Sequence, residues 1–194
     1  MQDSVKPSSC FEERSGYWAG EESWPSENTI NKTMYLKDRS LLPEGGGDSI
    51  RIVNSPQTVG RCTPFFGNMG AGDPQDPLDQ RLDDAMSVCF DSDPLDKKFS
   101  ILGAPTVTLN LESDKPSAFI CVRLNELRAD GSSLLVTYGI LNLTHRNSHE
   151  NIESLEVGKR YRVQDLLKDI RKTFDSLSYK HIRTLPKLIY INRF

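Results

Sequence analysis

Period-two alternation is the feature that most narrows what this chain can fold into. From Thr106 to Leu111, the apolar residues Val107, Leu109 and Leu111 alternate with Thr106, Thr108 and Asn110. Successive side chains on a strand point to opposite faces, so this run predicts one buried and one wet face. Two longer runs follow, Ala118–Leu127 and Leu134–Leu143, both rich in Val, Ile, Leu and aromatics. Ala129-Asp130-Gly131-Ser132 joins them. Asp-Gly is a strong hairpin signal because Gly tolerates positive φ. The prediction is a tight antiparallel pair, with Val122 and Leu124 on one face and Arg123 and Asn125 on the other. Ser87–Phe90 reads as a further strand, as do Thr33–Leu36 and Ser49–Val53, with a turn at Glu44–Asp48 between the last two. Short strands, frequent turns and no internal repeat point to an all-β sandwich or barrel.

One segment dissents. Across Gln164–Leu177 the apolar residues Leu166, Leu167, Ile170, Phe174 and Leu177 recur at helical spacing, which predicts a short helix there. Residues 1–30 are polar and turn-rich but carry Phe11, Tyr17, Trp18 and Trp24. They read as an extended arm draped over a core. The expected organisation is an arm over 1–30, a sandwich over 31–163, and a divergent segment over 164–194.

Bulk properties exclude several classes. The chain has 194 residues and a formal net charge of −3, with Lys and Arg spread along it. A nucleic-acid binder needs a basic stripe to displace phosphate counterions, and none is visible. No apolar run reaches the roughly 18 residues of a membrane span, and no basic and apolar leader opens the chain. Cys10, Cys62, Cys89 and Cys121 are widely spaced with no Cys-x-x-Cys pair, so no zinc site is expected from them. Cys89 and Cys121 lie in apolar runs and read as reduced, buried thiols. The sequons at Asn31 and Asn142 mean little without a secretion signal. A soluble, cytoplasmic protein is the expectation.

No catalytic machinery is legible. The Gly-x-Ser-x-Gly of a nucleophile elbow is absent, and Gly131-Ser132-Ser133-Leu134-Leu135 lacks the final Gly. His145 and His149 lie four apart after a strand and read as a surface turn in preference to a metal pair. Asp73, Asp76, Asp79, Asp83 and Asp84 lack a calcium-loop pattern and read as turn-forming residues. Gly67–Gly72 has neither strand-then-helix context nor a following Lys, which rules against a phosphate cradle. No catalytic, cofactor-binding or metal-ligating residue is assigned.

Several motifs in order nevertheless carry a resemblance. Asp79-Gln80-Arg81-Leu82-Asp83-Asp84-Ala85-Met86-Ser87 is followed by Phe90-Asp91 and Pro94-Leu95, and then by Leu102-Gly103-Ala104-Pro105. Next come Val122-Arg123-Leu124-Asn125-Glu126-Leu127-Arg128-Ala129-Asp130-Gly131 and Tyr138-Gly139-Ile140-Leu141-Asn142-Leu143-Thr144-His145-Arg146. Gly158-Lys159-Arg160-Tyr161-Arg162-Val163 closes the set, and Gly16-Tyr17-Trp18 with Trp24-Pro25 stands upstream. Together they resemble the C-terminal non-catalytic domain of the X-prolyl dipeptidyl-peptidase and cocaine esterase (CocE/NonD) hydrolases, over about residues 1–163.

The resemblance implies a jelly-roll, galactose-binding-like β-sandwich packed against an α/β-hydrolase domain that carries a Ser-Asp-His triad outside this chain. Hydrolysis of acyl esters or X-Pro peptides would belong to that domain. The resemblance implies no cofactor. The C-terminus departs from the family pattern: after Tyr161–Val163 a Phe and then Gly-His-Arg-Ile-Arg are expected. Here Phe174 precedes Ser178-Tyr179-Lys180-His181-Ile182-Arg183, without the Gly. An incomplete sandwich is therefore expected, with an open strand edge that favours self-association. The alternative is a stand-alone carbohydrate- or ligand-binding jelly roll using Trp18, Trp24, Tyr35 or Tyr138, although aromatics in sandwiches are more often core.

Overall fold

The computed structural model describes residues 17–18, 20–45, 50–62, 79–167, 170–174, 179–185 and 189–192. Its strands are β1 (Tyr35–Lys37), β2 (Ser40–Leu42), β3 (Arg51–Val53), β4 (Val88–Asp91), β5 (Phe99–Gly103) and β6 (Thr106–Ser113). They continue as β7 (Phe119–Leu127), β8 (Ser133–Asn142), β9 (Arg160–Leu166), β10 (Ile170–Phe174), β11 (Tyr179–Leu185) and β12 (Ile189–Asn192). One short helix, α1 (Arg81–Ala85), precedes β4, and a 3-10 turn, Leu143–His145, follows β8.

Two sheets form the sandwich. One has six strands in the order β1-β2-β4-β11-β7-β8, the other four in the order β3-β12-β6-β9. A separate pair joins β5 to β10. The core lies between the larger sheets. Val107, Leu109 and Leu111 of β6 meet Ile120, Val122 and Leu124 of β7, with Val53, Leu143, Leu155, Val163 and Leu167 around them. Thr106 and Thr108 stay exposed, so the alternation read from the sequence holds on β6.

The β7–β8 hairpin also follows expectation. Leu127 pairs with Ser133, and Arg128 N–H donates to Ser132 O at 3.0 Å. Gly131 takes φ 80°, the left-handed region, and Asp130 Oδ1 accepts from Ser132 N at 2.9 Å. A three-residue loop ending in a left-handed glycine is a common hairpin closure. The β1–β2 turn was not anticipated, since it places the non-glycine residues Asp38 and Arg39 at φ 46° and 68°.

The C-terminal part corrects two expectations. Gln164–Leu177 is not a helix: β9 runs through Leu166, and β10 pairs antiparallel with β5, Ile170 opposite Gly103 and Phe174 opposite Phe99. Apolar residues four apart, such as Ile170 and Phe174, satisfy a strand period of two as well as a helical turn. The four-residue spacing was thus ambiguous, and pairing with β5 decided it. Nor does the sandwich stop near Val163. β11 lies between β4 and β7, with Ile182 opposite Phe90 and Leu124. β12 lies between β3 and β6, with Ile191 opposite Arg51 and Leu111. The divergent Tyr179–Leu185 segment therefore supplies an inner strand of the larger sheet.

Truncation before Tyr179 should abolish the cooperative thermal transition followed by circular dichroism, because both sheets lose an interior strand. In the full chain Ile120→Ala, at a fully buried core position, should cost about 2–5 kcal/mol in denaturant unfolding.

Candidate docking interface

The outer face of the six-stranded sheet has two contrasting ends. On β7 the core takes Val122 and Leu124, so Arg123 and Asn125 face outward, as predicted. Both are nevertheless buried, Arg123 to 1% exposure, because α1 and its flanks lie over them. Arg123 donates through Nη1 to Gln80 Oε1 at 2.6 Å and through Nη2 to Asp84 Oδ1 at 3.2 Å and Ser87 Oγ at 3.3 Å. Asp83 Oδ2 stands 3.6 Å from Nη1 and accepts from Cys62 N at 3.0 Å. Asn125 Nδ2 reaches Asp84 Oδ1 at 3.2 Å and Ser133 Oγ at 3.1 Å. Gln80 also joins Cys62 O through Nε2, and its N–H donates to Ser133 O at 2.8 Å. A buried guanidinium needs this many acceptors, since desolvation of an unpaired charge costs several kcal/mol.

Asp79 pins the start of the same segment. Its Oδ1 accepts from Ser133 N at 3.2 Å and Arg81 N at 3.1 Å, and its Oδ2 from Arg81 Nε at 2.9 Å. Burial alone would raise its carboxyl pKa, but the hydrogen bonds from the Arg81 side chain and the two backbone N–H groups outweigh burial and lower it.

At the other end of β7 the outer face is uncovered and apolar. Phe119 and Ile140 are exposed, and Cys121, opposite Ile140 in register, is half-buried. The arm presents a second apolar surface. It touches β5: Trp24 Cη2 lies 3.8 Å from the point a Cβ on Gly103 would occupy, and just past the arm Lys32 Nζ sits 5.5 Å from the Phe99 ring centroid. Even so, Trp24 is 68% exposed and Trp18 101%. These tryptophans are not core, contrary to the general expectation for sandwich aromatics, whereas Tyr35 and Tyr138 are half-buried.

The chemical groups are held in structural roles. Burial pushes the Cys89 thiol up to about 11, with Asp91 adding and Arg123 and Arg39 opposing. Burial and then Asp83 raise Cys62 as well. Both stay protonated at neutral pH, the opposite of an activated nucleophile. Among the described residues Cys62 is fully buried, whereas Cys89 and Cys121 are half-buried, so the expected burial of those two is only partial. Ser133 is buried at 0% exposure, and Ser87 Oγ donates to Asp83 O at 2.7 Å. Asp79, Asp83 and Asp84 serve as anchors of α1, while Asp73 and Asp76 lie outside the described residues. His145 and His149 face each other, Nδ1 to Nδ1 at 3.3 Å.

The Arg123 network was missed in the sequence because a polar position on an alternating strand ordinarily reads as wet. Its one signal was the pair Asp83-Asp84 upstream of an arginine flanked by apolar residues.

Arg123→Ala strands two buried carboxylates and should destabilise the chain by about 3–5 kcal/mol, measured by chemical denaturation. Asp79 should add a pH dependence. Its folded pKa is lower than the unfolded value of 3.8, so its contribution is present above that value and disappears as pH falls through the folded pKa. Melting temperatures in acid should fall less steeply for Asp79→Asn than for the wild type.

Comparison with known proteins places this arrangement. The family model described as the X-Pro dipeptidyl-peptidase C-terminal non-catalytic domain matches residues 2–174. A Mycobacterium bovis protein named as a serine esterase is 25% identical over 133 residues, covering 66% of this chain and 21% of that protein. The chain thus spans about a fifth of the length of the curated relatives it matches. An aminopeptidase from a marine-sediment Thaumarchaeota archaeon superposes with TM-score 0.70 at 16% identity, over 88% of this chain and 31% of that one. A CocE/NonD family hydrolase from Staphylococcus aureus superposes with TM-score 0.71 at 11% identity, over 98% and 38%. Sequence and fold agree, and the chain belongs to the family of X-Pro dipeptidyl-peptidase C-terminal non-catalytic domains.

Proposed function

We propose that this chain is a non-catalytic accessory domain, of jelly-roll type, that packs on an α/β-hydrolase domain and helps wall its substrate pocket. The acyl-ester or X-Pro peptide hydrolysis would be carried out by that partner, which holds the Ser-Asp-His triad. The single observation that carries this reading is the pair of solvent-exposed tryptophans of the arm, Trp18 and, beside Gly103 of β5, Trp24. Large rings left in water mark a surface that a partner covers, and in relatives of this family the sandwich is part of a longer hydrolase. Phe119 and Ile140 extend the apolar surface available for docking.

Self-association through an unfilled strand position is not supported, because β11 and β12 occupy the interiors of both sheets. Exposed apolar surface remains as its only support. A cytoplasmic location fits the free thiols at Cys62, Cys89 and Cys121. Among the described residues no helix is long and apolar enough to cross a membrane.

A carbohydrate-binding module is the second reading, favoured by the same tryptophans, since exposed aromatic faces stack on sugar rings. A glycan array separates the two, because an accessory domain binds no sugar.

The purified chain should leave p-nitrophenyl esters and X-Pro chromogenic peptides at the background rate. Turnover that vanishes on Ser87→Ala, Ser133→Ala or His145→Ala would overturn the proposal. Replacing Trp18 and Trp24 together by Ser should leave the melting temperature within about 2 °C, as surface changes do. It should also weaken any association with a hydrolase domain, read by light scattering after size exclusion.

A further inference from the structure

The loop after β8 brings together two groups that the accessory role does not use. His145 ends the 3-10 turn, His149 lies four residues on, and their Nδ1 atoms stand 3.3 Å apart with ring centroids 5.4 Å apart and planes inclined at 46°. Two imidazole nitrogens bound to one tetrahedral zinc at about 2.0–2.1 Å would be separated by about 3.3–3.4 Å. We propose that His145 and His149 form a two-ligand site for a divalent ion of the zinc class. The sequence alone favoured a plain surface turn; the convergence of the two nitrogens goes beyond it.

The loop is built to hold this geometry. Leu143 and Thr144 are buried and anchor its start. Asn142 Oδ1 accepts from Thr144 N at 3.1 Å and from Thr144 Oγ1 at 2.9 Å. Ser148 Oγ accepts from Glu150 N and Asn151 N, each at 3.1 Å, which closes a turn around the second histidine. Glu153 N donates to Thr144 O at 2.9 Å, tying the far side of the loop back to the 3-10 turn. The neighbouring cation is occupied elsewhere: Arg146 lies over the Tyr161 ring at 4.5 Å from its centroid and pairs with Glu153 Oε2 at 3.1 Å. Its charge is therefore compensated within the loop instead of repelling a metal at the histidines.

Among the described residues no third His, Cys, Asp or Glu joins the pair. The remaining positions of a tetrahedral ion would be taken by water or by a donor from another molecule, as in an open site. Neutral imidazole suits zinc-class ions and is a poor match for the oxygen-seeking calcium.

Isothermal titration of the full chain with zinc sulfate at neutral pH tests the site. One ion per chain is expected, with affinity falling about 10- to 100-fold or more in His145→Ala and in His149→Ala, and with no histidine-dependent uptake of calcium. Matching circular dichroism melts show that the variants fold. Nitrogen-detected NMR of the imidazoles in the unaltered chain gives an independent readout: zinc must shift the ring nitrogens of both histidines. Wild-type uptake by His145→Ala or by His149→Ala, or ring signals that zinc leaves in place, means the pair is only a hydrogen-bonded turn and overturns the proposal.

Discussion

A guanidinium under cover on the outer face of a sheet is the constraint on which the rest of this structure depends. Arg123 sits in the middle of β7 but on the side away from the core, where a strand residue would normally be hydrated. Once α1 covers it, the acceptors for its Nη1 and Nη2 must come from the protein, while its buried Nε has no hydrogen-bond partner. Gln80, Asp84 and Ser87 supply hydrogen bonds, and Asp83 adds its charge. Meeting that requirement draws together the Cys62 segment, the α1 turn and the start of β8 at Ser133. A five-residue helix has no intrinsic stability in water. Its position follows from these contacts and not from helix propensity.

The same arrangement divides the outer face into two parts of different character. Where α1 lies, the face is sealed and polar. Toward Phe119 and Ile140 it is open and apolar. The arm at Trp18 and Trp24 offers further uncovered aromatic surface. The proposed accessory role calls for both properties: a rigid body that holds its shape, and apolar surface for a partner domain. The buried ionic cluster serves the first, since its loss leaves uncompensated charge, although a buried ion pair need not be more stabilising than well-packed apolar residues.

Long-range order is the second theme. β11 and β12 come last in the chain yet occupy interior positions between strands that precede them by many residues. Both sheets therefore await the C-terminus before their hydrogen-bond ladders close. Non-local pairing of this kind makes folding slow and leaves strand edges open until late. The departure of Tyr179–Leu185 from the family pattern is tolerated because inner-strand pairing is made by backbone N–H and C=O groups, which the missing glycine does not alter.

Local period and turn chemistry made much of the sandwich legible. The alternation in β6, the long β7 and β8, and the left-handed glycine at Gly131 are all properties of a few neighbouring residues. The family, too, could be recognised from ordered motifs, and it is one described as non-catalytic. Tertiary structure alone decided what depends on distant partners. Apolar residues four apart in 164–177 fit either a helix or a strand, and β5, some seventy positions upstream in register, settled the matter by offering a free edge. Arg123 and Asn125 carry nothing in their own strand to show that they are buried, because burial was imposed by a helix forty residues away. The two histidines face each other only because the loop between β8 and β9 closes on itself. Sequence patterns report which face a side chain takes; only the folded chain determines what covers that face.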